Sequence, residues 1–273
     1  MKKDSYDKWK KNLVVVRGGG DIATGIIDKL FQSGFPVLVL EIENPSCIRR
    51  TISFCEAVFD REMEVEGVLA KKADTSEEAF RIYEENSVPV MVDPEGRIIE
   101  KLKPAVVVDA ILAKKNLGTR ITDAPVVIGV GPGFDAGEDV DAVIETKRGH
   151  DLGRIIYEGK AAPNTGIPGV IGGYGEERVI HAPCTGVLHI VRDIGSVVEE
   201  NEVIAMIGDI PVKAKIGGVL RGMIREGYRV KKGLKIADVD PRRQQRENCR
   251  KISDKARCVA GGVLEAILHL QNR

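Results

Sequence analysis

The chain of 273 residues carries 41 Lys and Arg against 41 Asp and Glu, so its formal net charge at pH 7 is zero. This balance excludes a global electrostatic attraction to nucleic acid or anionic membranes, and no apolar run approaches the roughly 20 residues that cross a bilayer. With 43% hydrophobic and 30% charged residues, the composition predicts a globular protein with room for one large domain or two ordinary ones.

Residues 1–12 are basic and polar, which predicts a solvated tail and not a signal peptide. The five cysteines are odd in number, widely spaced and without a CxxC pair, a pattern typical of a reducing compartment. We therefore expect a cytoplasmic protein that binds neither nucleic acid nor membranes. The cysteines are Cys47, Cys55, Cys184, Cys249 and Cys258.

The stretch "VVVRGGGDIATG", Val14 to Gly25, joins two different patterns of hydrophobic residues. The apolar run at 13–16 predicts a buried strand, and the residues after the glycines repeat at helical spacing up to a stop at Ser33-Gly34. "FPVLVLEIE" then predicts a second buried strand. Strand, glycine turn, helix and strand within about 30 residues predict a βαβ unit.

The glycine loop, Gly18, Gly19 and Gly20, predicts a phosphate-binding turn. Glycines let a diphosphate approach backbone N–H groups at a helix N-terminus, where the helix dipole is positive. Glu41 lies 21 residues after Gly20 at the end of the second strand. A dinucleotide-binding fold places there the acid that accepts a hydrogen bond from a ribose hydroxyl. The predicted cofactor-binding residues are Gly18, Gly19, Gly20, Asp21, Thr24, Glu41, Arg49 and Arg50.

Asp21 leaves two interpretations open. A carboxylate beside a phosphate cradle repels an anion unless a metal ion lies between them, but Asp is also an ordinary helix-capping residue. Arg49 and Arg50 follow the second strand and are the better anion ligands, because arginine binds phosphate and carboxylate in bidentate fashion. The neighbouring Cys47 and Cys55 are interpreted as small structural hydrophobes, with a thiol relay as the alternative.

The middle of the chain predicts one helix and several strands. Thr75 and Glu78 form a capping box at the start of the helix, and "VPVMV", "PAVVVDA" and "APVVIGVGPG" predict buried strands. Because ligands in open α/β sheets gather at strand carboxyl ends, Asp109 and the loop 131–134 either share a rim with the glycine loop or are simple turns.

His150 and Asp151, in a glycine-flanked loop, are the catalytic candidates. Histidine is the one side chain that ordinarily titrates near neutrality, although a lone loop histidine is more often idle than catalytic. Arg148 and Arg154 in the same stretch either bind phosphate or carboxylate or lie on a solvated hairpin.

From Val179 the chain repeats a β-pattern of about 27 residues twice, which suggests a small closed β structure. The two halves resemble the barrel-sandwich hybrid of biotinyl and lipoyl carrier domains, but the lysine those carriers modify is absent from the tip, 207–211. His181 and Cys184 are a single pair, which argues against a zinc site, and we expect no metal. The final apolar pattern predicts a C-terminal helix.

The predicted fold is therefore α/β. A Rossmann-like parallel sheet forms the N-terminal half, a β-rich barrel-sandwich-hybrid-like unit follows, and a C-terminal helix packs back on the chain. The predicted boundaries are a polar tail at 1–12, a nucleotide-binding domain at 13–176, a β domain at 177–243 and the helix within 244–273.

Five segments together resemble one known family. They are "VVVRGGGDIATG", "CIRRTISFCEAVF", "VVIGVGPGFDAGEDVDAVIETKRGHDLGRIIYEG", "PNTGIPG" and "ISDKARCVAGGVLEAIL". They resemble the accessory proteins of the selenium-dependent molybdenum hydroxylase system (YqeB type). The resemblance implies a role in molybdenum-cofactor maturation, with a nucleotide or pterin dinucleotide as ligand and hydroxylase subunits or other maturation proteins as partners.

Three hypotheses follow. The first is an accessory protein that binds molybdopterin cytosine dinucleotide or a related dinucleotide. The second is an NAD(P)-dependent oxidoreductase with His150 as proton donor. The third is a non-enzymatic adaptor whose β-half docks a hydroxylase subunit.

Overall fold

The computed structural model describes residues 3–166 and 169–273, which form two compact units. The first unit comprises the chain up to Pro45 together with Ser53–Asn164 and Ile252–Arg273. The second comprises Ser46–Ile52 and Thr165–Lys251. The units are thus interleaved along the sequence, because the short segment 46–52 belongs to the second unit and the C-terminal helix belongs to the first.

The first unit contains a nine-stranded sheet and six α-helices among the described residues. The strands are β1 (Val14–Arg17), β2 (Val37–Glu41), β3 (Glu62–Val65), β4 (Val68–Lys72), β5 (Val88–Val92), β6 (Val106–Asp109), β7 (Val126–Val130), β8 (Ala142–Ile144) and β9 (Ile155–Ile156). The helices are α1 (Lys3–Asn12), α2 (Asp21–Gln32), α3 (Ala57–Asp60), α4 (Ser76–Glu84), α5 (Arg97–Leu102) and α6 (Asp254–Gln271).

The sheet is mixed, with the strand order β3-β4-β5-β2-β1-β6-β7-β8-β9. The seven inner strands pair in parallel, whereas β3 and β9 pair antiparallel to their neighbours at the two edges. The central strands β1, β6 and β7 are buried along their whole length, as expected for strands covered on both faces. The carboxyl ends of the parallel inner strands meet at one edge of the sheet.

Two of the helices pack directly on each other. Gly25 of α2 lies against Ala256 of α6, and a Cβ atom added at Gly25 would be 2.8 Å from the Ala256 Cβ. Gly262, further along α6, lies against the backbone of Gly153. Small residues at both positions allow this close approach.

The N-terminal segment differs from the solvated tail expected for it. Residues 3–12 form helix α1, and Trp9 is only 3% exposed. The Trp9 ring packs against Phe80 of α4 with centroids 5.6 Å apart, and Tyr6 meets the same ring edge-on at 5.2 Å. Spacing of three residues between Tyr6 and Trp9 puts both on one helical face, and burying that face outweighs the polarity of the remaining positions.

The second unit consists of two four-stranded sheets, in the orders β10-β17-β15-β12 and β14-β13-β11-β16. All their strand pairs are antiparallel. The strands are β10 (Val179–His181), β11 (Gly186–Ile190), β12 (Val197–Val198), β13 (Val203–Ile207), β14 (Ile210–Lys213), β15 (Gly218–Met223), β16 (Arg229–Val230) and β17 (Lys235–Asp240). The predicted β-repeats correspond to these strands.

The predicted Rossmann-like parallel sheet followed by a barrel-sandwich hybrid is wrong. The nine-stranded sheet is mixed, and the connections from β6 to β7 and from β7 to β8 contain no helix. One side of α2 is covered by helix α6, which comes from the far end of the chain. Buried apolar strands predict a covered sheet, but they do not specify which segment covers each face or whether the edge strands run antiparallel.

No helix among the described residues is long and apolar enough to cross a membrane.

Candidate ligand-binding site

The first two glycines of the loop between β1 and α2 are required by the packing of the chain itself. Gly18 adopts a φ of +94°, a conformation that glycine tolerates best, and its N–H donates to the Leu40 carbonyl at 2.7 Å. A Cβ atom at Gly19 would lie 2.9 Å from the backbone nitrogen of Cys55. Internal contacts therefore account for Gly18 and Gly19.

The third glycine has no such internal explanation. Gly20 caps α2 with φ −69° and ψ −178°, values open to any residue. A Cβ atom at this position would meet nothing within 4 Å. The chain thus leaves an open space at the N-terminus of a twelve-residue helix, where backbone N–H groups and the helix dipole favour an anion.

Glu41 lies against the glycine loop, as its position at the end of β2 predicted. Its Oε2 accepts from the Gly19 N–H at 2.8 Å, and its Oε1 accepts from the Ile42 N–H at 2.8 Å. Burial raises the pKa of the Glu41 carboxyl above its ordinary value, and the two backbone hydrogen bonds oppose that rise. Because each carboxylate oxygen has a second acceptor position, Glu41 retains capacity for a ligand hydroxyl.

Thr24 braces the loop from inside. Its hydroxyl donates to the Gly19 carbonyl at 3.2 Å and accepts from the Phe54 N–H at 3.0 Å, and the residue is fully buried. The Cys55 N–H donates to the same Gly19 carbonyl at 2.9 Å. Cys55 is buried behind the loop and forms no disulfide. These contacts fix the shape of the loop without occupying the open side of Gly20.

Asp21 stands at the start of α2, where its Oδ1 accepts from the Ile22 N–H at 2.9 Å. It also interacts electrostatically with Lys255 in the first turn of α6. Burial lowers the pKa of Lys255, the neighbouring Arg148 lowers it further, and the carboxylates of Asp21, Glu145 and Asp254 oppose the change. This cluster was missed by the sequence analysis, although "ISDKAR" places a helix cap and a lysine side by side.

Asp109 belongs to a buried network beneath the glycine loop. Its carboxylate accepts from the Thr119 hydroxyl at 2.6 Å and lies 3.6 Å from the guanidinium of Arg17. Arg17 also donates to Thr119 at 2.5 Å and to the Pro94 carbonyl at 3.1 Å. With Asp109 only 1% exposed, this network ties the carboxyl ends of β1 and β6 together and does not form an accessible rim.

The other predicted rim element, the loop after β7, is also shaped by internal packing. Gly131 adopts a φ of +79°, and its added Cβ would lie 2.9 Å from the Thr146 hydroxyl. A Cβ on Gly129 would meet the buried Phe134 ring at 2.5 Å. This loop therefore closes the end of the sheet with its own side chains.

His150 and Asp151 lie in an exposed turn after β8. His150 makes no hydrogen bond with the described residues, and Asp151 pairs with Arg154 at 3.2 Å. The structure thus does not couple the two residues as an acid–base pair, and their catalytic role stays a prediction.

Arg49 and Arg50 belong to the second unit, whereas the glycine loop belongs to the first. Arg49 donates to the Asn248 carbonyl at 3.1 Å. Arg50 donates to the Met223 carbonyl at 2.8 Å and pairs with Asp193 at 2.5 Å. Both arginines hold parts of the second unit together, and their predicted role as anion ligands remains a prediction.

A comparison with models of known protein families finds no match. A search of curated proteins finds the uncharacterized protein YqeB of Escherichia coli (strain K12), which is 51% identical over 261 residues. The match covers 96% of this chain and 48% of that protein, so the chain spans about half the length of its curated relative. The name YqeB agrees with the YqeB-type family that the five sequence segments resemble.

Solved structures give weaker matches. A succinylglutamate desuccinylase/aspartoacylase from Rhodobacter sphaeroides covers 84% of this chain and 85% of its own, with 13% identity and a TM-score of 0.28. An aspartoacylase family protein from Mesorhizobium loti covers 84% of each chain, with 11% identity and a TM-score of 0.29. The ectoine utilization protein EutE (DoeB) from Ruegeria pomeroyi covers 83% of this chain and 56% of its own, with 13% identity and a TM-score of 0.23.

At such TM-scores these structures carry no argument about the function of this chain.

Proposed function

We propose that this protein binds a phosphate-bearing dinucleotide at Gly20, as an accessory protein in the maturation of selenium-dependent molybdenum hydroxylases. One observation carries the binding proposal: the open space at Gly20, at the N-terminus of α2 and beside Glu41. A glycine that internal packing does not need allows a ligand to approach the backbone closely.

The residues at this edge suit two groups of such a ligand, its diphosphate and one ribose. The N-terminus of α2 would hold the diphosphate, and Glu41 would accept from a ribose hydroxyl through its remaining acceptor positions. Gly18, Gly19 and Thr24 would keep the loop in shape. A bound molybdopterin cytosine dinucleotide would supply the group that ligates molybdenum, and bound NAD(P) would supply hydride transfer.

The role in molybdenum-enzyme maturation has separate support. It rests on the five segments that resemble the accessory-protein family and on a relative of the same type name that is 51% identical. Native mass spectrometry of the protein from a molybdenum- and selenium-replete host tests this part. We expect a co-purified pterin dinucleotide, and a ligand of another class would contradict the maturation role.

The binding proposal is tested by replacing Gly20 with alanine. Isothermal titration calorimetry would compare molybdopterin cytosine dinucleotide, NADH and NADPH on the parent and on Gly20→Ala. We expect the parent to bind at least one of them and the variant to lose binding, because the new methyl group enters the space left for the ligand. Alanine is a poorer N-cap than glycine, so the variant should also lose about 1 kcal/mol or less of stability. Gly261→Ala is the matched control, since an added Cβ there also meets nothing within 4 Å.

Two results would count against dinucleotide binding at this loop. One is a parent protein that binds none of these compounds, and the other is a Gly20→Ala variant that binds them as the parent does.

An adaptor role is a second candidate, favoured by an apolar patch in the second unit. Val187 and Val191 flank His189 at the outer surface of the β11 region and are 36% and 53% exposed. In a pull-down with hydroxylase subunits, the full chain carrying Val187→Asp and Val191→Asp should lose a complex that the parent forms. Equal capture by both proteins would exclude this patch as the docking surface.

A further inference from the structure

The two units carry opposite net charges, although the chain as a whole is neutral. The second unit has 17 Lys and Arg against 11 Asp and Glu, which gives a net charge of +6. The first unit has 24 Lys and Arg against 30 Asp and Glu, which gives −6. The first unit of one copy and the second unit of another copy therefore attract each other at low ionic strength, and salt screens this attraction.

The acidic first unit has an open sheet edge that carries two glutamates. Strand β3 is the outermost strand of the nine-stranded sheet, and Glu62 and Glu64 on it are exposed. The Lys72 N–H donates to the Arg61 carbonyl at 2.7 Å, so these two residues form a hydrogen-bonded pair of the antiparallel β3–β4 ladder. Such pairs alternate with pairs whose N–H and C=O groups point away from the neighbouring strand. The backbone groups of Glu62 and Glu64 therefore point to the open edge.

The basic second unit has an open edge with positive side chains. Strand β16 lies at the end of the sheet β14-β13-β11-β16, next to β11. The Leu188 N–H donates to the Tyr228 carbonyl at 3.0 Å, so these two residues form a hydrogen-bonded pair. The next pair, Val187 and Arg229, is not hydrogen-bonded, which turns the N–H and C=O of Arg229 to the open edge. Arg229 and Lys231, two residues further on, are both exposed.

The signs of these charges select one pairing of the two edges. Charges on edge strands usually prevent sheets from joining, and here they oppose pairing of β3 with β3 and of β16 with β16. Pairing of β3 with β16 instead brings opposite charges together, which stabilises an antiparallel strand pair. Among the described residues, none of the four side chains has an ion-pair partner within its own chain; they are Glu62, Glu64, Arg229 and Lys231. Because both halves of the contact are present on this chain, a second copy is the partner that fits.

We propose that β3 of one copy pairs antiparallel with β16 of a second copy. In this register Glu64 lies opposite Arg229 and Glu62 lies opposite Lys231. The contact joins two sheets edge to edge, and its main-chain hydrogen bonds use backbone groups that point away from β4 and β11. It does not involve the ligand site at Gly20, so the inference goes beyond the proposed function.

Sedimentation velocity on the full chain tests the proposal. We expect the parent to associate as its concentration rises at about 0.1 M salt and to dissociate largely at about 1 M salt, because the Debye length falls from about 10 to about 3 Å. At the lower salt concentration, Glu62→Lys with Glu64→Lys should weaken association by about 10- to 100-fold, because like charges then face each other. Arg229→Glu with Lys231→Glu should weaken it to a similar extent.

A mixture of the two double variants separates a lost contact from a damaged fold. In the mixture, the lysines on β3 of one variant meet the glutamates on β16 of the other, and the unchanged edges also carry opposite charges. Association should therefore return to near the parent level. Glu84→Lys with Glu158→Lys is the matched control, because it changes the net charge of the first unit equally at exposed positions outside β3. This control should weaken association far less than the β3 variant.

Carbodiimide cross-linking identifies the residues in contact. In a mixture of unlabelled and heavy-isotope-labelled parent protein, peptide mass spectrometry should find an amide bond between Glu62 of one copy and Lys231 of another. A parent protein that stays monomeric at both salt concentrations would overturn the proposal. So would mixed double variants that associate no better than either variant alone.

Discussion

Two adjacent glycines in α6 should respond in opposite ways to the same substitution. Gly262 is buried within the first unit, and an added Cβ would lie 2.2 Å from the Gly153 carbonyl oxygen. Gly261 is exposed, and its added Cβ would meet nothing within 4 Å. Both lie inside the helix Asp254–Gln271, so alanine improves helix propensity equally at either position.

The expected magnitudes follow from these distances. At Gly261, alanine should stabilise the protein by about 1 kcal/mol, the usual difference between glycine and alanine within a helix. At Gly262 the same gain is offset by an overlap with backbone, which cannot rotate away and which costs about 3 kcal/mol, the upper end of the usual range for overpacking. Gly262→Ala should therefore lose about 2 kcal/mol net.

The melting temperature of the first unit provides the assay. Since ~1 kcal/mol shifts the melting temperature of a domain of this size by about 2–4 °C, Gly261→Ala should melt ~2–4 °C higher and Gly262→Ala ~4–8 °C lower. The single tryptophan, Trp9, is buried in the first unit, so its fluorescence reports the unfolding of that unit. A Gly262→Ala protein that melts at or above the parent would refute the close packing of α6 on the loop at Gly153.

Two further predictions concern buried acids. Burial holds the pKa of Asp28 above its ordinary value, so the native state binds this proton more tightly, and the free energy of unfolding falls as pH rises from the unfolded pKa through the folded one. Asp28→Asn should therefore raise the melting temperature at neutral pH and give a smaller gain near about pH 4; an equal gain at both pH values would contradict this cause. Asp109→Ala leaves buried Arg17 without its carboxylate and should cost about 3–5 kcal/mol in urea unfolding. Asp74→Ala, at an exposed pair, should cost about 1 kcal/mol or less, and similar losses for the two variants would be evidence against the buried network.

Local features of the fold followed from the sequence where a short pattern has one physical meaning. Gly34 adopts a φ of +85° just after α2, as its position after the apolar face predicted. Thr75 accepts from the Glu78 N–H at 3.1 Å, which confirms the predicted cap of α4. The buried strands at β5, β6 and β7 also lie where the apolar runs predicted them. Each of these features depends on residues close together in the chain.

The arrangement of those features was harder to predict, because it depends on distant contacts. The antiparallel β3–β4 hairpin turns at Glu66-Gly67, a signal that the sequence analysis did not use. The contact between Glu41 and the glycine loop could be predicted from their spacing, since a βαβ unit brings the ends of adjacent strands together. Lys255 comes near Asp21 only because α6 packs on α2, and no spacing rule connects residues so far apart in sequence.

The interleaving of the two units constrains the order in which the chain can complete its structure. During synthesis from the N-terminus, the nine strands of the first sheet leave the ribosome long before α6 does. Until α6 is made, the side of α2 that packs on α6 stays exposed, so a shortened product ending near Asn164 should expose that side and aggregate. Helix α6 thus completes a unit whose strands all precede it in the chain by more than ninety residues.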